Sequence, residues 1–471
     1  MADYTDSQQT GFDTINGSQK DDLMAEFPAD SSINRRSFLK HSALVLAAAG
    51  GLFPLTGCSV DPVTGKKQLV LMGREQEIGI DRHHSPFQFS SDYGVSGDGR
   101  LNAYISQVGN RMVPGVHRRD MPYNFQCVNA VYVNAYAFPG GTIATTRGIL
   151  LELDNEAELA ALLGHELGHV NARHTAEQAT KGQLSSLLIG GIAVAAGQQG
   201  SDYGRIAQQL GALGQGLYLS KYSRDNEREA DALGHEYMVK AGYSSRGFVG
   251  LMEMLNSLHT SGASAASMLF ATHPMGAERL ASARQRDRSV YAGSRERNPG
   301  RERYMDNIAG LRRMAPAIKL MQDGEKYLAK ESFDQAERSF VAAVKKAPRD
   351  YTAHMLAAKC FLARKKYSKA LGHAGDAAAI SPRESQAPYV KGLARINLNQ
   401  YRQAYEDFST SDRLLRGNPQ LTFYKGYSQD KYGNHPGAAR DYQTFLKEMN
   451  YQSNKYTQYA YKRLKAMGYV N

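Results

Sequence analysis

The chain has 471 residues, 42% hydrophobic and 22% charged, which allows two or three cores and excludes wholesale disorder. No apolar run reaches 18 residues and there are three cysteines, so an ordinary membrane-spanning helix and a disulfide scaffold are both excluded. The net charge of +11 is unevenly placed: residues 1–315 hold 31 Lys and Arg against 32 Asp and Glu, residues 316–471 hold 26 against 14. All the basic excess therefore sits in the last third.

Residues 1–34 are polar and rich in Asp, Ser and Gln, a composition that cannot bury enough apolar surface to fold. Arg35-Arg36-Ser37-Phe38-Leu39-Lys40 then precedes the apolar stretch Ala43–Leu55, too short to span a bilayer. The order of basic region and apolar region is that of a signal peptide, and the paired arginines resemble a twin-arginine export signal. The stretch ends in Leu55-Thr56-Gly57-Cys58, which looks like a bacterial lipobox. Residues 1–57 are thus expected to be a leader and Cys58 the lipid attachment point of a membrane-anchored periplasmic protein. Ser59 after the cysteine favours the outer membrane. Cys127 and Cys360 remain, in different units, and are expected to be buried and unpaired.

Residues Phe125–Phe138 alternate and are rich in Val, Tyr and Phe, which predicts one strand before a glycine-rich turn. At a sheet edge it would accept an extended substrate by backbone hydrogen bonds. A helix is predicted from about Asn155, with Glu156 and Glu158 suiting its first turn. It carries His165-Glu166-Leu167-Gly168-His169. Residues four apart share a helical face, so both histidines can aim a nitrogen at one metal ion, and Glu166 is placed to take a proton from water beside it. A catalytic zinc site needs a third protein ligand. Glu227 and Asp231, four apart, offer a ligand and a carboxylate to orient a ligating histidine, whereas Glu229 points elsewhere. His174 competes for the third place, lying nine residues beyond His165 on what reads as the same extended helix.

The joint pattern of HExxH followed some 60 residues later by Glu227-Arg228-Glu229-Ala230-Asp231 resembles the Ste/HtpX/BepA-type zinc metallopeptidases, the family of the CAAX prenyl proteases. Asn134-Ala135-Tyr136-Ala137-Phe138-Pro139-Gly140-Gly141 and Thr272-His273-Pro274 with Arg279 also match it, so the resemblance covers about residues 60–290. It implies one Zn2+ per chain on His165, His169 and Glu227, with Glu166 as the catalytic base. It also implies that His273 occupies the open metal position at rest. Arg279 either holds that loop or polarises a substrate carbonyl. The match is to the periplasmic, BepA-like branch without the spanning helices of the other branches. Leu184–Gly197, apolar and rich in Gly and Ala, is expected to be a buried or lid-like hairpin.

After a charged connecting stretch at 294–316, a period of 34 residues appears. Gly324, Ala358, Gly392 and Gly426 follow it, as do Ala336, Ala370, Ala404 and Ala438. Small residues at these sites let paired helices approach, as in a tetratricopeptide solenoid of about four repeats over 317–452 with a capping helix to Asn471. The fold expected is predominantly α: a zincin-like α+β metallopeptidase unit with a small sheet over 58–293, then an all-α solenoid. The expected function is a zinc endopeptidase of the cell envelope, in quality control or assembly of outer-membrane proteins. Unfolded or misassembled envelope proteins, or the assembly machinery, would be recruited by the basic repeats; nucleic acid is excluded as a partner by the export signal. The alternative is a non-proteolytic or auto-inhibited assembly factor or chaperone. An intact Glu166 argues against the former, because a structural zinc site has no use for a general base.

Overall fold

A computed structural model describes residues 72–178 and 222–470, with a few positions between 59 and 70. The leader, Cys58 and Leu184–Gly197 lie outside the described residues, among which no helix is long and apolar enough to cross a membrane. The first unit comprises α1 (Arg74–Ser91), α2 (Gly99–Met112), β1 (Asn124–Val128), β2 (Ala135–Ala137), β3 (Thr142–Thr146) and α3 (Arg147–Glu152). It continues through α4 (Glu156–Asn171), α5 (Arg224–Lys240), α6 (Arg246–Thr260), α7 (Ser267–Thr272) and α8 (Ala277–Arg288).

The single strand expected over Phe125–Phe138 is instead two. The chain breaks at Asn129–Asn134, where the Asn129 side chain donates to the carbonyls of Tyr93 and Val95 and abandons the ladder. The two pieces then flank β3, which pairs parallel with β1 and antiparallel with β2. β3 has no alternation because all five of its residues are buried, the usual state of a central strand covered on both faces.

Helix α4 is the centre of the unit. Asn155 caps it by accepting from the Glu158 N–H at 3.0 Å, and every residue from Glu156 to Asn171 is buried. A helix apolar on nearly all sides must be enclosed, and α4 lies between α5, α6 and the sheet. It stops earlier than the sequence predicts: Arg173 takes a left-handed conformation with φ 60°, so His174 lies beyond a turn and not on the same helix.

The connecting stretch is helical and packs on the first unit. In α9 (Arg301–Asn307) the fully buried Tyr304 donates its hydroxyl to the Leu150 carbonyl at 2.6 Å. Four helix pairs follow: α10 (Ala309–Ala329) with α11 (Phe333–Lys346), α12 (Tyr351–Ala363) with α13 (Tyr367–Ile380), α14 (Gln386–Asn397) with α15 (Tyr401–Leu414), and α16 (Pro419–Lys431) with α17 (His435–Glu448). α18 (Lys455–Ala466) covers the end. The 34-residue period has a second component. A Cβ on Gly324, Gly392 or Gly426 would meet the ring of Phe340, Phe408 or Tyr442 at 2.4, 2.6 and 3.0 Å. In the second repeat alanines stand at both corresponding positions, Ala358 and Ala374, each fully buried. Small against large, or alanine against alanine, fills the same space between paired helices.

The repeats dock on the first unit through a polar seam. Arg147 donates to Asp350 at 2.6 Å with both side chains buried, Gln322 donates to the Val131 carbonyl at 2.7 Å, and Ser90 and Ser385 hydroxyls lie 2.9 Å apart. Nearby, Asp92 accepts from the hydroxyls of Tyr132 and Tyr136, and Glu325 and Lys359 interact with it from the repeat side. Burial pushes the Glu325 carboxyl up to about 7 and the Lys359 ammonium down to about 8. Above its ordinary value of 4.5 the unfolded chain releases the Glu325 proton, while the folded chain keeps it until about 7. That contribution to stability is full below 4.5 and lost as pH rises through about 7. Glu325→Gln should therefore gain on wild type between about pH 5 and pH 8, by on the order of 1–2 kcal/mol for a half-buried side chain, read from denaturation midpoints.

Candidate metal centre

His165, Glu166 and His169 lie on α4, Glu227 and Asp231 on α5, so the site depends on how closely these helices approach. They touch backbone to backbone. A Cβ on Gly164 would lie 2.8 Å from the Gly234 carbonyl oxygen, one on Gly168 2.8 Å from the Ala230 carbonyl oxygen, and one on Gly234 2.6 Å from the His165 nitrogen. Gly234→Ala should thus force the helices apart at a cost of about 1–3 kcal/mol and weaken metal binding, measurable by thermal melting and bound zinc.

The Nε2 atoms of His165 and His169 lie 3.0 Å apart, and Glu227 Oε1 is 3.3 Å from the latter. His273, from the turn after α7, places Nδ1 3.0 Å from Glu227 Oε1 and 3.4 Å from His165 Nε2. All four side chains are buried, with one donor atom of each inside a 4.8 Å group. Four ligands around one tetrahedral zinc stand about 3.3 Å apart, so the donor set fits the ion the sequence implies. Glu166 adds a second sign of fit: its Oε2 is buried without a hydrogen-bond partner among the described residues, and its Oε1 lies 4.0 Å from His273 Nε2.

The outward nitrogens are held as well. Asp231 Oδ1 lies 3.0 Å from His165 Nδ1. His174 Nδ1 lies 2.9 Å from His169 Nδ1, and its other nitrogen lies 3.2 Å from Glu229 Oε2. Tyr222 stacks on the His169 ring at 3.7 Å. Such contacts fix the ring orientation of a ligating histidine. His174 is therefore placed behind His169 and outside the donor group, and Glu229 stands behind His174. Sequence reasoning weighed His174 only as a ligand and set Glu229 aside; the left-handed turn at Arg173 that brings them together leaves no periodic signal.

Arg279 on α8 donates Nε and Nη2 to the two Asp231 oxygens at 2.7 Å each, and Nη1 lies 2.6 Å from Glu227 Oε2. The same Nη1 donates to the Pro274 carbonyl, tying the His273 turn to the carboxylates. Burial works to raise the Glu227 carboxyl, but His273, Arg279 and His165 outweigh it and hold it well below the usual range. Burial raises the Glu166 carboxyl despite His273 and His165, and lowers the His169 imidazole despite Glu227. A neutral His169 and an ionised Glu227 are the forms that bind a divalent ion. Leu162, Leu251, Leu255, Phe270 and Met275 line a cavity of about 20 Å³ beside Glu166 and His273, room for about one water.

The profile of peptidase family M48 matches residues 100–287, and that of a tetratricopeptide repeat matches 324–386. Metalloprotease LoiP of Escherichia coli K12 is 33% identical over 189 residues, which are 40% of this chain and 69% of that protein. The chain belongs to peptidase family M48. Metalloprotease YcaL of the same strain is 28% identical over 256 residues, 53% of this chain and 98% of that one. The beta-barrel assembly-enhancing protease of Escherichia coli K12 is 27% identical over 263 residues, 53% of each chain. The chain spans about half the length of the assembly-enhancing proteases it matches.

Proposed function

We propose that this M48 chain is a zinc-dependent endopeptidase of the bacterial cell envelope, described here in a closed state. The convergence of His165, His169, Glu227 and His273 beside the unpartnered carboxylate of Glu166 carries the reading. A bound zinc would polarise the scissile carbonyl and acidify water beside it. His165, His169 and Glu227 would hold the ion, with Asp231, His174 and Glu229 keeping the rings in place. Glu166 would take the proton from the attacking water and pass it to the leaving amine. Arg279 would keep Glu227 and Asp231 ionised and the His273 turn closed over the site.

Residues 58–293 would form the peptidase unit, anchored through Cys58, and 317–471 the partner-binding solenoid, joined by 294–316. The excess of 26 basic over 14 acidic residues from 316 onward favours acidic protein surfaces or anionic head groups. The beta-barrel assembly-enhancing proteases among the relatives support quality control or assembly of outer-membrane proteins as the setting.

The cavity of about 20 Å³ favours a second reading of the same site, in which the peptidase is held shut while the repeats bind partners. β2, an edge strand on which an extended substrate would add, is buried along its length and needs the same opening. Full-length chain should cleave an unfolded protein such as casein, stop when zinc is chelated and recover when it is returned. His273→Ala should raise the rate several-fold, about tenfold for a contact of 1.4 kcal/mol. Zinc-loaded wild type and His273→Ala both failing to cleave would overturn the endopeptidase reading.

A further inference from the structure

Away from the peptidase unit, a second histidine group sits in the repeats. His354 on α12 and His373 on α13 place their Nδ1 atoms 3.3 Å apart, and Asp376 Oδ2 lies 3.4 Å from His354 Nδ1. One donor atom of each falls inside a 4.8 Å group, the same convergence as in the peptidase site. Both separations match the edge of about 3.3 Å that a shared tetrahedral ion imposes on its ligands.

The orientation of each ring is fixed by contacts that a hydrogen bond between them would not require. His354 is buried, and its Nε2 lies 3.0 Å from the Pro348 carbonyl oxygen. A carbonyl only accepts, so Nε2 carries a hydrogen toward Pro348, while Nδ1 faces His373 and Asp376. An outward N–H held by a backbone carbonyl is the arrangement that prepares a histidine to ligate. His373 stacks on Phe361, the rings parallel within 10° at 5.3 Å, and its Nδ1 faces His354 Nδ1. Asp376, one helical turn from His373, closes the group from the solvent side, where an ion and its remaining water ligand have access.

We propose that His354, His373 and Asp376 bind a second divalent transition-metal ion, Zn2+, which clamps α12 to α13 in the second repeat. Two imidazole nitrogens and one carboxylate suit zinc and disfavour Mg2+ or Ca2+, which require oxygen ligands. The site stands one turn from Asp350, the buried partner of Arg147, so the ion would stiffen the repeat that meets the peptidase unit.

The test is zinc stoichiometry of the full-length chain after metal removal, titration with Zn2+ and gel filtration. Wild type should retain two equivalents. His373→Ala and the exposed Asp376→Asn should each lose one, keep the other, and leave casein cleavage unchanged; His165→Ala with His169→Ala should lose the other and keep this one. Added Zn2+ should raise the thermal midpoint of that last variant but not of a triple variant that also carries His373→Ala. Mg2+ should do neither. A wild type with one equivalent that survives His373→Ala, or two that both survive it, overturns the site. A single equivalent that the peptidase variant keeps and His373→Ala loses would count against the peptidase centre and leave this one standing.

Discussion

Glu166→Gln should leave zinc bound and the chain folded while lowering turnover of an unfolded protein by roughly 10²–10⁴-fold. Glutamine keeps the shape of glutamate and its oxygen acceptor but cannot take up a proton at neutral pH. The side chain is 1% exposed and its Oε2 has no hydrogen-bond partner among the described residues, so the substitution disturbs no contact that supports the helix. Burial raises its carboxyl toward the pH at which a general base works best. His165→Ala is the informative contrast, because it should lose activity together with the metal. Equal zinc content and a collapsed kcat in Glu166→Gln separate proton transfer from metal binding. Unchanged kcat at full zinc occupancy would remove Glu166 from the chemistry.

What the sequence discloses about this site is set by helical periodicity. His165 and His169, and likewise Glu227 and Asp231, are spaced so that each pair shares a face, and their helix starts carry Asn155 and Ser223 as caps. The repeats were legible for a related reason: small residues return at a fixed period. Contacts made across chain breaks leave no such trace. His174 reaches His169 only because Arg173 adopts φ 60°, and the meeting of Gly164 and Gly168 with α5 depends on a partner some 65 residues away. The aromatic series Phe340, Phe408 and Tyr442 became intelligible only against the glycines it packs on. β3 escaped because a strand buried on both faces does not alternate, and the one strand expected over Phe125–Phe138 proved to be the two edges beside it. The seam between the units was invisible for the plainest reason, since Arg147 and Asp350 are 203 residues apart.

That seam yields the largest expected effect on stability. Asp350→Ala should destabilise docking of the repeats by about 3–5 kcal/mol, because it leaves the Arg147 guanidinium buried without its partner. The same carboxylate caps α12 by accepting from the Ala353 N–H at 2.8 Å, and losing the cap adds about 1 kcal/mol. Denaturation midpoints and protease nicking near residues 294–316 would report the change. The double variant Arg147→Met with Asp350→Ala decides its origin. If the cost comes from an unpaired buried charge, removing the charge should restore much of the stability, leaving chiefly the loss of the cap. If the pair instead behaved like an exposed one, the single variant would cost under about 1 kcal/mol and the double would gain nothing. Recovery in the double variant would mean that the pair selects one docked arrangement more than it stabilises it, holding a repeat-bound partner at a set distance from His165 and His169.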